Sequence, residues 1–404
     1  MNSSRRSFLQ TGFALPLAFS SPAAMASASA AATITPSWES SFDPWIEIHA
    51  QNFHHNVEEI VRRVSGRPIL AVIKNNGYGA GLVQTAQILE SHPGIFGFAV
   101  VKLHEAFSLR QAGIRKPILL LGPFDEQNLA DAVASGILPM IYTSLGPALD
   151  KVAAQTQKPV PLHICIDTGI GRVGVPYREA PALIRDLAAR KSVSIQGAMM
   201  TFTEDPAFDP EQLRRFYQTC SALEKDGIAL GHKHAASSFS LFQHPHAFLD
   251  MVRPGMAIFG IYSENEFRKT GILDLRPAIS LKARVIYVKK LQKGDSAGYN
   301  RAYLAKDDVW VATLPLGHAD GWPRVATKGA KVRINGALYP VIASVSASHC
   351  IVELGREQTA NVGDVATFFD DQPGSRPEDV SESCGVSVYD LTMHLGALLP
   401  RRVV

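Results

Sequence analysis

From about residue 50, short apolar runs alternate with segments whose apolar residues recur every three or four positions. "PILAVIK" precedes "GLVQTAQILES", "IFGFAVV" precedes "KLHEAFSLRQAG", "PILLLG" precedes "EQNLADAVASG", and "LPMIYTS" precedes "LGPALDKVAAQ". The alternation continues through "PLHICID", "SIQGAMMTF" and "ALGHKHAA" and closes on "MAIFGIY". Apolar runs bounded by Gly and Pro read as buried parallel strands, and the amphipathic segments between them as crossover helices. About eight such strands predict an α/β fold of the (β/α)8 TIM-barrel type, over residues 45–274.

After Asp274 the pattern changes. "AISLKARVIYV", "DVWVATLPLG", "KVRINGALYPVIASVSA", "HCIVEL" and "DVATFF" alternate in apolar and polar residues, with Gly and Asp turns between them. This predicts a C-terminal all-β domain over residues 275–404. "DDQPGSRPEDVSES" reads as a polar loop.

Composition adds bounds. The 404 residues are 46% hydrophobic, enough for a large core and two domains. A net charge of +3 without a long Lys/Arg run argues against a nucleic-acid partner. At the N-terminus, Arg5 and Arg6 precede an apolar stretch and then an Ala/Ser run with A-x-A patterns. Residues 1–32 therefore read as a twin-arginine export signal, cleaved between Ser27 and Thr33, which places the mature protein in the periplasm. The apolar stretch is too short to span a bilayer permanently, so no membrane partner is expected after cleavage. Cys165, Cys220, Cys350 and Cys384 fit no zinc spacing. Cys165 and Cys350 lie in strand-like runs and read as packed free thiols.

The candidate chemistry begins at Lys74, in "AVIKNNGYGAG" (71–81), a lone lysine ending an apolar strand. The active site of a parallel barrel lies at that end of the strands. There an apolar wall lowers the ammonium's pKa and frees a nucleophilic amine, suited to a Schiff base with a carbonyl such as pyridoxal phosphate. From position alone, a lysine reaching out to solvent is the competing reading. Gly77, Gly79 and Gly81 let backbone N–H groups approach an anion, the helix that follows offers its dipole, and Tyr78 can donate a phenolic bond.

This stretch resembles the pyridoxal-phosphate lysine motif of alanine racemases, A-V-V-K-A-N-A-Y-G-H-G. "HICIDTGIGRVG", "MVRPGMAIFGIY", "KGDSAGYNRAY", "LPLGHADGWPR" and "GVSVYDL" resemble further motifs of that family, in the family's order, so that the likeness runs from about residue 45 onward. The resemblance implies a barrel, a β domain and a homodimer with shared active sites. It makes Lys74 the cofactor's anchor and one catalytic base, and Tyr299 the second base on the opposite face. It sets Arg253 against the pyridine nitrogen, and Tyr78, Ser238, Gly255, Met256 and Tyr389 around the phosphate. Arg172 steers the substrate carboxylate and bonds the cofactor's phenolic oxygen, and Ala347 borders the substrate. Racemisation needs two opposed groups, because a proton leaves one face of the α-carbon and returns to the other. Taken without the family, Tyr299 also reads as a hairpin tyrosine, Arg253 as a surface ion-pair partner, and Arg172 as a salt-bridge partner of Asp167. His232 and His234 alone make no metal site.

The departures matter too. Cys165 stands where the family often has a lysine. Met200-Thr201-Phe202 replaces Thr-His-Phe, Ser237 replaces an asparagine, and His318 replaces a tyrosine. Ser346-Ala347-Ser348 replaces Ser-Met-Asp, which reduces bulk and charge beside the substrate. The reading is an amino-acid racemase with alanine as default substrate and a broader range expected. The rival readings are another reaction on this barrel, such as amino-acid decarboxylation, and a non-catalytic pyridoxal-phosphate-binding protein.

Overall fold

The computed structural model describes residues 41–404, so the proposed export signal lies outside the described residues. Strand β1 (Trp45–Ile48) leads into a helix over Ala50–Arg63. The barrel follows, with β2 (Ile69–Val72), β3 (Ile95–Val100), β4 (Ile118–Leu120), β5 (Ile137–Ile141) and β6 (Val160–Asp167). A two-residue strand, β7 (Val175–Pro176), flanks β6, and β8 (Val193–Met199) and β9 (His232–His234) complete the series. Neighbouring barrel strands pair in parallel in the order β2–β3–β4–β5–β6–β8–β9. The apolar runs become strands because helices cover one face while the other fills the barrel. Every residue of β2 and β4 is buried.

Closure differs from the sequence expectation. "MAIFGIY" is no strand: residues 256–260 form a buried turn. The eighth position is taken upstream by Met251 and Val252, which bridge to His234 and Ile69. Pro254 lacks an N–H and Gly255 favours a turn, so the extended pairing stops before the apolar run begins. Asn56, fully buried, pins this turn by donating to the carbonyls of Ile258 (3.2 Å) and Arg276 (2.8 Å).

The second domain contains β10 (Ile279–Arg284), β11 (Tyr287–Leu291), a small hairpin of β12 (Ser296–Ala297) and β13 (Tyr303–Leu304), and then β14 (Val309–Leu314). β15 (Lys331–Ile334), β16 (Ala337–Ile342), β17 (Cys350–Gly355), β18 (Val365–Phe369) and β19 (Arg401–Val403) complete it. Its large sheet runs β11–β14–β17–β16–β15–β18–β10–β1–β19. β1 thus joins this sheet, antiparallel to β10 and parallel to β19.

The expected polar loop contains a helix, Pro377–Cys384, followed by a second one at Val388–Met393. The start signals were present: Pro377 fits the first helical position, and the Asp379 carboxylate accepts from the N–H groups of Gly374 (2.7 Å) and Arg376 (3.4 Å). Gly385, in the left-handed region, ends it. All four cysteines are buried free thiols. Among the described residues, no helix is long and apolar enough to cross a membrane.

Candidate active site

Lys74 follows β2 at the C-terminal end of the barrel and is half-buried. The chain then makes a rare turn: Asn75, Asn76, Gly77 and Tyr78 all have left-handed backbone angles, with φ of 54°, 56°, 59° and 49°. For side chains other than Gly this costs about 1–2 kcal/mol per residue, with Asn the most tolerant. Neighbours fix the turn. Glu105, buried, accepts from the Asn76 N–H (3.0 Å), and Asn76 Oδ1 accepts from the Leu82 N–H (3.1 Å). A Cβ on Gly79 would stand 2.1 Å from the Thr392 carbonyl oxygen. The turn therefore swings Tyr78 back beside Lys74 and packs against the Val388–Met393 helix. The helix expected to point its dipole at the anion instead has its first N–H, that of Leu82, capped by Asn76.

A cavity of about 490 Å³ opens here, and its lining includes Lys74, Tyr78, Arg172, Ser238, Arg253, Gly255, Met256 and Tyr389. Burial, and then the charge of Arg172, lower the Lys74 pKa, against a smaller opposing effect of Glu105. Ser238 Oγ accepts from the N–H groups of Gly255 (2.9 Å) and Ala257 (3.1 Å). With both lone pairs engaged, its hydroxyl hydrogen remains to be donated into the cavity. Gly255 is matched to Tyr78, since a Cβ there would lie 2.4 Å from the phenolic oxygen. Ser238, Tyr78 and Tyr389 thus offer hydroxyl donors around a turn that leaves no room for a side chain, a fit for a phosphate.

Arg253 is buried and held from behind. Its Nη1 donates to the carbonyl of His234 (2.7 Å) and approaches His234 Nδ1 (3.1 Å), while Nη2 donates to the carbonyl of Met200 (2.8 Å). An arginine only donates, so His234 Nδ1 must be the acceptor and Nε2 must carry the proton. That proton then points to His163 Nδ1, 2.9 Å away, which puts the His163 hydrogen on Nε2. Burial holds both imidazoles neutral, with His163 pulled down to about 4 and His234 well below its ordinary value. Burial also lowers Arg253 to about 10, which leaves it charged at neutral pH. His234 is therefore a support for Arg253 and has no free nitrogen for a metal. Sequence reading missed this pair. The signal was two histidines in the apolar runs that become β6 and β9, on either side of β8.

Asp167 does not pair with Arg172, because its carboxylate is taken by the N–H groups of Gly169 (2.8 Å) and Gly171 (3.2 Å). Arg172 stays exposed at the cavity wall. Cys165 lies beside it as a neutral thiol, pushed up to about 11 by burial. Glu204, which sequence reading also missed, is the only carboxylate in the described cavity wall.

Tyr299 and Ala347 are elsewhere. Tyr299 is 73% exposed, at a turn between β12 and β13. Its N–H donates to Ser344 Oγ (3.3 Å), while the N–H groups of His318 and Ala319 donate to the carbonyls of Ser346 (2.9 Å) and Ala347 (3.0 Å). Three adjoining β-domain loops thus present Tyr299, His318 and Ala347 together, outside this chain's own cavity.

The family model for the alanine racemase N-terminal domain matches residues 48–263, and that for the C-terminal domain matches residues 278–403. The chain belongs to the alanine racemase family. It is a pyridoxal-phosphate-dependent amino-acid racemase, an isomerase. An alanine racemase of Desulforamulus reducens is 33% identical over 366 residues, covering 88% of this chain and 98% of that protein. One of Clostridium tetani is 30% identical, covering 88% and 94%. Among solved structures, the alanine racemase of Clostridium difficile 630 superposes with a TM-score of 0.83 at 26% identity, covering 90% of this chain and 96% of that one. The enzyme from D-cycloserine-producing Streptomyces lavendulae gives 0.83 at 26%, covering 90% and 97%.

Proposed function

We propose that the protein is an exported racemase of alanine and of larger amino acids, working as a homodimer in which each site takes Lys74 from one protomer and Tyr299 from its partner. The separation of the two half-sites carries this reading. The cavity holds the lysine and the anion cradle, and the second tyrosine stands exposed on another face of the same chain.

Lys74, Tyr78, Ser238, Arg253, Gly255, Met256 and Tyr389 would hold the cofactor, with Arg253 toward its ring nitrogen. Bound pyridoxal phosphate supplies an electron sink for the pair left on the α-carbon when its proton departs. Arg172 takes the substrate carboxylate and fixes which bond faces Lys74. The Lys74 amine, with its pKa lowered by burial and by Arg172, is free to accept or return that proton on one face. The partner's Tyr299 serves the opposite face, and Tyr299 in this chain serves the partner. Arg253 keeps its own proton and the fixed charge that the His234–His163 pair orients. The reduced bulk of Ala347 and Ser348 supports the wider substrate range. Arg5 and Arg6 support export through the twin-arginine route to the periplasm.

Mixing inactive variants tests the shared site. Lys74→Ala and Tyr299→Phe proteins should each be nearly inactive alone. In a mixed dimer one site collects both lesions and the other none. Random subunit exchange makes half the dimers mixed, so activity should return to about a quarter of wild type. No recovery after demonstrated exchange means that the tyrosine serves its own chain.

A further inference from the structure

We infer that Glu204 is a specificity-determining residue, receiving the cationic end of a basic amino-acid side chain at the cavity mouth, so that guanidinium and ammonium side chains are preferred over neutral ones of equal length. This rests on the racemase reading and names a substrate class for the same site.

The cavity is electrically asymmetric. Its cations are Lys74, Arg172 and Arg253, and its only carboxylate among the described residues is Glu204. The cations have duties: Lys74 anchors the cofactor, Arg253 is locked by His234 and Met200, and Arg172 faces the substrate carboxylate. Glu204 has none. It takes one long hydrogen bond, from Ser237 Oγ at 3.4 Å. His244 attracts it only weakly, and the His244 Nε2 is already bonded to Asp209 (2.7 Å). Desolvation at the cavity wall raises the Glu204 pKa, and the negative potential of Asp209 and Glu264 raises it further.

The backbone aims this side chain. Glu204 has φ of 64°, in the left-handed region, between two anchored residues. The Thr203 N–H donates to Gln212 Oε1 (2.8 Å), and the Asp205 N–H donates to Asp209 Oδ1 (3.3 Å). A strained conformation held from both sides, with its side chain lining a cavity, is the pattern of a functional position. An amino acid whose carboxylate sits on Arg172 and whose side chain ends in a cation meets complementary charge at both ends. One ending in a carboxylate meets repulsion at Glu204.

The test compares charged and neutral isosteres on the holoenzyme: L-arginine against L-citrulline, and L-lysine against L-norleucine, with L-alanine as reporter of racemase activity. Wild type should show higher kcat/KM for the cationic member of each pair. Glu204→Gln should lower that ratio about tenfold, the scale of one charge-assisted hydrogen bond. Glu204→Lys should reverse it and favour L-glutamate over L-glutamine. Each ratio is internal to one variant, so the fraction of folded enzyme cancels. Calorimetric dissociation constants for arginine and citrulline should move in the same direction. Alanine turnover with ratios near one in wild type, or unmoved in Glu204→Gln, overturns the assignment and leaves the racemase reading standing. Absence of α-proton exchange with every amino acid overturns the racemase reading and this inference with it.

Discussion

Gly255→Ala probes the cofactor cradle through one methyl group. The new Cβ would stand 2.4 Å from Tyr78 Oη and 2.9 Å from Tyr78 Cζ. Carbon and oxygen atoms at ordinary contact need about 3.5 Å. Tyr78 is confined on its other sides. It is 5% exposed, its ring meets Phe259 at 5.1 Å, and its backbone is fixed at φ of 49°. Overpacking of this kind costs about 1–3 kcal/mol. Chemical denaturation should therefore show a lower midpoint at unchanged m-value. Titration with pyridoxal phosphate, followed by visible absorption, should show weakened binding. Tyr78→Phe removes the Oη overlap and leaves the milder Cζ contact. The double variant should therefore be more stable than the sum of the single effects, by about 1 kcal/mol on the scale of coupled neighbours. Additivity within about 0.5 kcal/mol would show that the two groups do not compete for the same space, and would refute this account of the cradle.

Three further outcomes are expected. Borohydride should bleach the visible band of the holoenzyme and leave a pyridoxyl adduct on Lys74, and an adduct on any other lysine would displace Lys74 as the anchor. His163 binds its proton at pH 6.5 in the unfolded chain but only at about 4 in the fold. The unfolded state thus holds more protons between those values, so this group lowers stability as pH falls through that window. Its penalty is complete below it and absent above pH 6.5. His163→Asn, which keeps an acceptor for His234, should flatten the stability slope there by up to about 1.4 kcal/mol per pH unit; an unchanged slope would show that His163 already titrates normally. Replacing both Arg5 and Arg6 by lysine should leave the protein in the cytoplasm, and periplasmic recovery would point to a different export route.

The barrel was legible because buried parallel strands are apolar on both faces, and the periodic segments between them mark helices. Closure was not, because the pairing there covers only the short stretch from Met251 to Pro254, whereas the apolar run after Pro254 is buried as a turn. The 377–384 helix was hidden by its polar composition, although Pro377, Asp379 and Gly385 marked both ends. Lys74 and its neighbours were legible through local motif chemistry. The His163–His234 pair and Glu204 were not, because their meaning arises from partners distant in sequence, Arg253 for the histidines and the assembled cavity lining for the glutamate. The left-handed turn lay in between: "NNG" advertises the backbone angles, but nothing local announces that Tyr78 shares them.

The pairing of β1 with β19 also has a consequence for biosynthesis. Ile46 lies beside Arg401, the Val404 N–H donates to the Ile48 carbonyl (2.9 Å), and the Arg401 guanidinium donates to the Gly79 carbonyl at 3.1 and 2.9 Å. The turn that aims Lys74 is therefore latched by a residue translated more than three hundred positions later, as the separation of 322 between Gly79 and Arg401 records. A nascent chain that has passed residue 263 can own every barrel strand and still lack this latch, along with the parallel neighbour of β1. The lysine turn gains its last restraint only when residues 401–404 leave the ribosome. That restraint on the lysine turn is in this way timed to the emergence of β19 rather than to completion of the barrel.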